Sequence, residues 1–100
     1  MAFGTDLVGD AYTGDNTPVP DDDPIDCAGH GTHVAGIIAA SNDPYVLGVA
    51  PNATLGIYKV FGCEGSAAND VLISAFIMAY NYGVDVITSS IGGASGWPEE

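Results

Sequence analysis

The pattern of apolar and polar positions changes character near residue 30. Before it, Asp, Gly, Pro and Thr occupy most positions, and only Phe3 to Val8 carries the spacing of a strand. The rest of that stretch reads as a long loop. From His33 the chain runs through Val34, Ala35, Gly36, Ile37, Ile38, Ala39 and Ala40, and Ser41-Asn42-Asp43-Pro44 ends the run. This predicts a mostly buried helix whose small residues allow close approach to a sheet. Gly48 to Asn52 reads as a turn, and Leu55 to Phe61 as a buried strand with Lys59 its only charge. Gly62 to Ser66 is a loop. Val71, Leu72, Ala75, Phe76, Met78 and Ala79 then recur at helical spacing. Ser66 or Asn69 can cap the start of that second helix, and Gly83 can stop it. Val84 to Ser90 is rich in β-branched residues and predicts a strand, with a turn at Ile91-Gly92-Gly93.

The order from residue 30 is helix, strand, helix, strand. Near-continuous apolar strands alternating with helices predict an α/β fold: part of a doubly wound parallel sheet with flanking helices on both faces. A chain of 100 residues suffices for one small domain. No stretch approaches the length needed to span a bilayer, and Met1 to Asp6 lacks the basic and apolar regions of a signal peptide.

Charge narrows the partners. The chain holds 13 acidic residues against one base, Lys59, a formal net charge of −12. Such a surface repels nucleic acid and anionic membranes, so neither is an expected partner. Asp6, Asp10, Asp15, Asp21, Asp22, Asp23 and Asp26 all lie upstream of residue 30. The ordinary reading is a solvated loop. Calcium is the alternative, since hard cations take carboxylate oxygens, but the regular alternating ligand spacing of a calcium loop is missing. No other cofactor and no metal centre is expected. Cys27 and Cys63 permit one bridge, and Asn52-Ala53-Thr54 is the only glycosylation triplet, weak support for a secreted protein.

The chemistry concentrates in Asp26-Cys27-Ala28-Gly29-His30-Gly31-Thr32-His33-Val34-Ala35-Gly36. A general base must stand at the edge of a cleft with its ring free to reach a hydroxyl. His30, placed where a loop turns into a helix, meets that need. Gly29 and Gly31 leave room for a substrate backbone, and Thr32 can cap or brace the turn. His33 falls on the same helix face and is expected to point inward more deeply. The two histidines are three apart with no intervening Glu, which makes a poor zinc pair.

Gly29-His30-Gly31-Thr32-His33-Val34-Ala35-Gly36 resembles the histidine signature of the subtilases, the subtilisin-like serine peptidases. Leu47 to Ala53 is similar to the family's turn after the histidine helix, Tyr58 to Phe61 to its next core strand, and Val84 to Gly93 to a strand and loop beside the substrate cleft. The match runs from about residue 26 to 93. The long loop and the Asp-Cys before the signature look more like larger secreted microbial or fungal members, so the resemblance implies an extracellular parent. Residues 1–100 would be one partial peptidase domain of a serine-type endopeptidase acting on peptides or proteins. The resemblance implies that His30 takes the proton from a serine hydroxyl as general base. It implies that Gly65, Ser66 and Ala67 on one side, and Ser90, Ile91 and Gly92 on the other, pair with substrate backbone. Gly65 and Gly92 would keep side chains out of the way of the incoming chain. All three segments should meet at one edge of the sheet. Cys27 and Cys63 would fall at that edge too, and some subtilases bridge these two loops, so a Cys27–Cys63 disulfide is expected.

The departures are as informative. Neither the Asp-Ser-Gly or Asp-Thr-Gly string that ends the family's aspartate strand nor the Gly-Thr-Ser-Met-Ala string of its nucleophile occurs. Asp6 and Asp26 lack the surrounding motif of a triad acid, and Ser89, Ser90 and Ser95 lie on no nucleophile elbow. The chain as it stands is therefore expected to be inactive. The alternative is a non-catalytic peptide-binding module or a degenerate paralogue.

Overall fold

The computed structural model describes residues 2–42 and 45–92. Strand β1 (Phe3–Asp6) is followed by a long loop, helix α1 (His30–Ala39), the short strands β2 (Ser41–Asn42) and β3 (Val46–Leu47), strand β4 (Gly56–Lys59) and helix α2 (Asn69–Tyr82). β1 and β4 pair in parallel, Phe3 opposite Gly56 and Asp6 opposite Lys59. Parallel strands need a long crossover, and the crossover here carries the loop and α1. β2 and β3 form an antiparallel ribbon, where the sequence read only breakers.

The core lies between the end of the β1–β4 pair and α2. Val8, Tyr12, Val60 and Val71 are buried together, with Leu7, Phe61, Ala67, Leu72 and Ala75 packed against them. Helix α2 buries Val71 and Ala79 and packs Leu72 and Ala75 against the core, as its helical spacing predicted, but Phe76 and Met78 of the same predicted set are 44 % and 42 % exposed. Its outer face, with Ile73, Phe76 and Ile77, is exposed. At the far end of α2 the ring of Tyr82 stacks on Phe3 with centroids 4.0 Å apart, tying the last turn to β1. Gly83 ends the helix as expected, its N–H donating to the carbonyls of Ala79 and Tyr80. The start differs from expectation. Ala68 is the N-cap, without a side-chain cap, and its N–H donates instead to the Tyr12 hydroxyl at 3.1 Å. A buried tyrosine does what Ser66 or Asn69 was expected to do.

Three expectations are corrected. α1 buries none of its residues. Among the described residues the buried core is formed by Val8, Tyr12, Val60 and Val71, and it includes no residue of α1. Its last turn is held by backbone alone: Val49 and Ala50 donate to the carbonyls of Ile37 and Ile38, which satisfies acceptors the helix end leaves open. His33 is accordingly exposed rather than inward. Val84 to Ser90 is not a strand. Among the described residues β4 pairs only with β1, so this segment has no ladder to join, and Val86 stands 80 % exposed. The α/β character holds, but the described parallel sheet has 2 strands, too few to display a doubly wound order.

Candidate active site

His30 is the first residue of α1 and is exposed. The residue before it, Gly29, is the N-cap with φ +100°, a left-handed conformation in which a side chain would be strained. That single reversed residue turns the loop sharply into the helix and leaves the His30 ring at the corner.

The corner is braced by Asp26. Its carboxylate accepts from the N–H of Ala28 at 2.9 Å, Gly29 at 3.0 Å and Thr32 at 2.9 Å, and from the Thr32 hydroxyl at 2.6 Å. The Thr32 N–H is one of the free N–H groups that a helix start exposes, and a carboxylate at that end also meets the positive pole of the helix. The Thr32 hydroxyl, then the N–H groups of Gly29, Thr32 and Ala28, hold the Asp26 carboxyl far below the usual carboxylate range, against a small opposing effect of burial. Thr32 is the brace that the sequence suggested. Asp26 was weighed there as a triad acid and a calcium ligand, and its bracing role was missed. The sequence offered little signal for it, since Asp26 lies three residues before the N-cap Gly29, outside the position where a capping side chain is sought.

The loop carrying Asp26 is fastened to β4 in two ways. Cys27 and Cys63 are disulfide-bonded, with Cα atoms 5.0 Å apart, as expected. Beside the bridge lies Lys59, whose side chain is 8 % exposed. Its ammonium pairs with the Asp10 carboxylate, donates to the Ile25 carbonyl at 2.9 Å, contacts Cys27 Sγ at 3.6 Å and lies 3.9 Å from Asp6 Oδ2. Asp6 is itself fully buried and accepts from the N–H of Val8 and Gly9, each at 2.8 Å. Burial pulls the Lys59 pKa down, but the hydrogen bond and charge of Asp10 and the charges of Asp6 and Asp21 outweigh it and hold the pKa above its ordinary value. Among the described residues, Asp10, Cys27 and Cys63 are the one set close enough to suggest a metal site. The sulfurs are bonded to each other, so they are not available as thiolate ligands.

Gly65, Ser66 and Ala67 follow β4, as expected, and dock on the loop after β1. The Ser66 N–H donates to the Thr13 carbonyl at 3.0 Å. A side chain on Gly65 would run into that carbonyl, so its smallness allows this close approach. Ser90, Ile91 and Gly92 are exposed and irregular, and Gly92 has open space where a side chain would project. The structure thus joins Cys27, Cys63 and the His30 corner through the end of β4, while among the described residues Ser90 to Gly92 have no ladder partner.

The comparisons with known proteins agree with the motif. The model of the subtilase family matches residues 6–99. Subtilisin DY of Bacillus licheniformis is 49 % identical over 69 residues, 68 % of this chain and 25 % of that protein. An intracellular serine protease of Paenibacillus polymyxa is 48 % identical over 75 residues, 74 % of this chain and 23 % of that protein. The major intracellular serine protease of Bacillus subtilis is 47 % identical over 76 residues, 74 % of this chain and 24 % of that protein. The chain spans about a quarter of the length of these curated relatives. No solved structure matches it. With the histidine signature at an exposed helix start and a family match across nearly all of its length, the chain belongs to the subtilases, the subtilisin-like serine peptidases.

Proposed function

We propose that this chain is the histidine-bearing part of a serine endopeptidase that hydrolyses peptide bonds, with His30 as its general base. The observation that carries the reading is the placement of His30. It stands exposed on the first turn of α1, with a left-handed glycine before it and a carboxylate brace beneath it. A base so placed has one face open to a reacting hydroxyl and a backbone that does not move with it. Gly65 to Ala67 and Ser90 to Gly92 border the peptide. With a third strand running beside β4, Val84 to Ser90 becomes part of a wider doubly wound sheet, and the two borders face each other across the groove.

The sequence contains neither the nucleophile string nor the aspartate string of the family, so the chain by itself does not turn over peptides. Two of the relatives are intracellular proteases by name, and family membership assigns no compartment. The Cys27–Cys63 bridge favours an oxidising one, and we assign the parent protein to the extracellular space on that ground.

A serine-directed fluorophosphonate tests the reading. The 100-residue chain should remain unlabelled. A chimera in which residues 26–92 replace the matching segment of subtilisin DY should be labelled at that protein's own serine. Labelling of the isolated chain, or a folded chimera that does not react, would overturn it.

A further inference from the structure

The only Lys or Arg in the sequence, Lys59, is spent on a buried contact rather than on the surface. β4 ends at Lys59, opposite Asp6, and the ammonium reaches across to the loop before α1. There it holds the Ile25 carbonyl at 2.9 Å and touches Cys27 Sγ at 3.6 Å. The residue between those two contacts is Asp26. Asp26 in turn holds the N–H groups of Gly29 and Thr32, and those two positions bracket His30. The chain of contacts therefore runs from β4 through Lys59 to residues 25 and 27, through Asp26 to residues 29 and 32, and so to the histidine.

We infer that Lys59 is a positioning residue for His30: its buried ammonium pins the segment on both sides of Asp26, and Asp26 sets the corner on which the histidine stands. The inference rests on the reading of His30 as the base. Two observations make Lys59 more than a generic ion pair. α1 buries no residue, so packing of the helix does not fix its first residue in this chain. The Cys27–Cys63 bridge fixes residue 27; on the other side of Asp26 the Ile25 N–H donates only to the nearby Asp23 carboxylate at 3.2 Å, and it is the ammonium that ties the Ile25 carbonyl to β4. A lysine suits this task. It offers three donors from one point, and here a carboxylate, a carbonyl and a sulfur converge on it. Asp10 and Asp6 balance its charge, as a desolvated ammonium requires.

The test uses the 100-residue chain with its disulfide intact and needs no turnover, so its failure is separate from failure of the protease reading. Amide exchange is followed at Gly29 and Thr32, together with the ring resonances of His30. Lys59→Met should speed exchange at both amides by about tenfold or more, as expected for local opening, while the β1–β4 ladder stays protected. The His30 ring signals should move toward those of an unstructured peptide. Lys59→Arg keeps a charged donor and should restore both readouts most of the way. Exchange in Lys59→Met within about twofold of the parent, or no recovery in Lys59→Arg, would overturn the inference. Should Lys59→Met lose the ladder as well, Asp10→Asn decides. Asp10 is 69 % exposed, and its neutralisation loosens the ammonium without emptying the core. Faster exchange confined to residues 28–32 supports the inference, and no change there overturns it.

Discussion

Two segments of this chain, the loop before His30 and the stretch from Val84 to Gly92, are held in opposite ways. The loop before His30 is polar, acidic and poor in apolar residues, yet it is fastened by a disulfide, a buried ammonium and a carboxylate brace. The segment from Val84 to Gly92 is apolar and β-branched, yet it forms no ladder and leaves Val86 80 % exposed. Hydrophobic character orders a segment only when a neighbour is there to cover it. Polar cross-links act locally and need no second layer. The His30 corner is built from the second kind of force, in a chain that spans about a quarter of its relatives' length.

Removing the disulfide should cost the anchored region most. The bridge joins residues 36 apart in sequence, and in the chain-entropy account a loop of that size is worth on the order of 3–4 kcal/mol. Cys27→Ser with Cys63→Ser should show this as lost protection of the Cys63 amide, which donates to Asp10. An unchanged exchange rate there would show that the bridge is not what holds the loop.

Next comes Asp6, which separates hydrogen bonding from charge. Asp6→Ala leaves the buried N–H groups of Val8 and Gly9 without an acceptor, at a cost of about 2–4 kcal/mol. Asp6→Asn keeps an acceptor and should cost less than about half of that, because Asp10 still balances Lys59. Equal losses in the two variants would mean that the charge of Asp6, not its acceptor role, is what the fold needs.

A smaller effect is expected at Asp26, where Asp26→Ala should cost about 1–2 kcal/mol, in the range of a lost helix cap. Its pH dependence has a definite sign. The folded-state pKa is depressed, so the contribution is fully present above the unfolded value and is lost only as pH falls through the folded one. Protection of the Gly29 and Thr32 amides should therefore survive at about pH 4, where an ordinary Asp is half protonated. Loss of protection there would show that the carboxylate is not engaged. Smallest of all is Val86→Ser in the unanchored segment, which should change stability by less than about 0.5 kcal/mol. A larger loss would place Val86 in a packed setting and erase the contrast between the two regions.

The sequence carried the parts of the fold that depend on local pattern. The helix α2, its stop at Gly83 and a strand within residues 55–61, found over Gly56–Lys59, were legible. The burial of α1 was not, because an apolar run states what a helix could cover and not what lies against it. For the same reason Val84 to Ser90 read as a strand: β propensity describes a residue's fit to a sheet and cannot supply the neighbouring strand. At the site, the histidine signature and the cysteine pair were readable as strings. The buried role of Lys59 and the brace by Asp26 were not, since an isolated base and an Asp in an acidic loop ordinarily face solvent. The close approach of the Thr13 carbonyl to Gly65 was not signalled by the sequence.

The central claim is that His30 is a general base on a pre-formed corner, and the most direct measurement is peptide turnover by the subtilisin DY chimera with and without His30→Ala. The account predicts that kcat falls by about a millionfold, the size known for removing the base from subtilisin itself, with little change in KM. Turnover within about tenfold of the parent chimera would contradict it, because a residue that only shapes the corner would leave most of the rate in place.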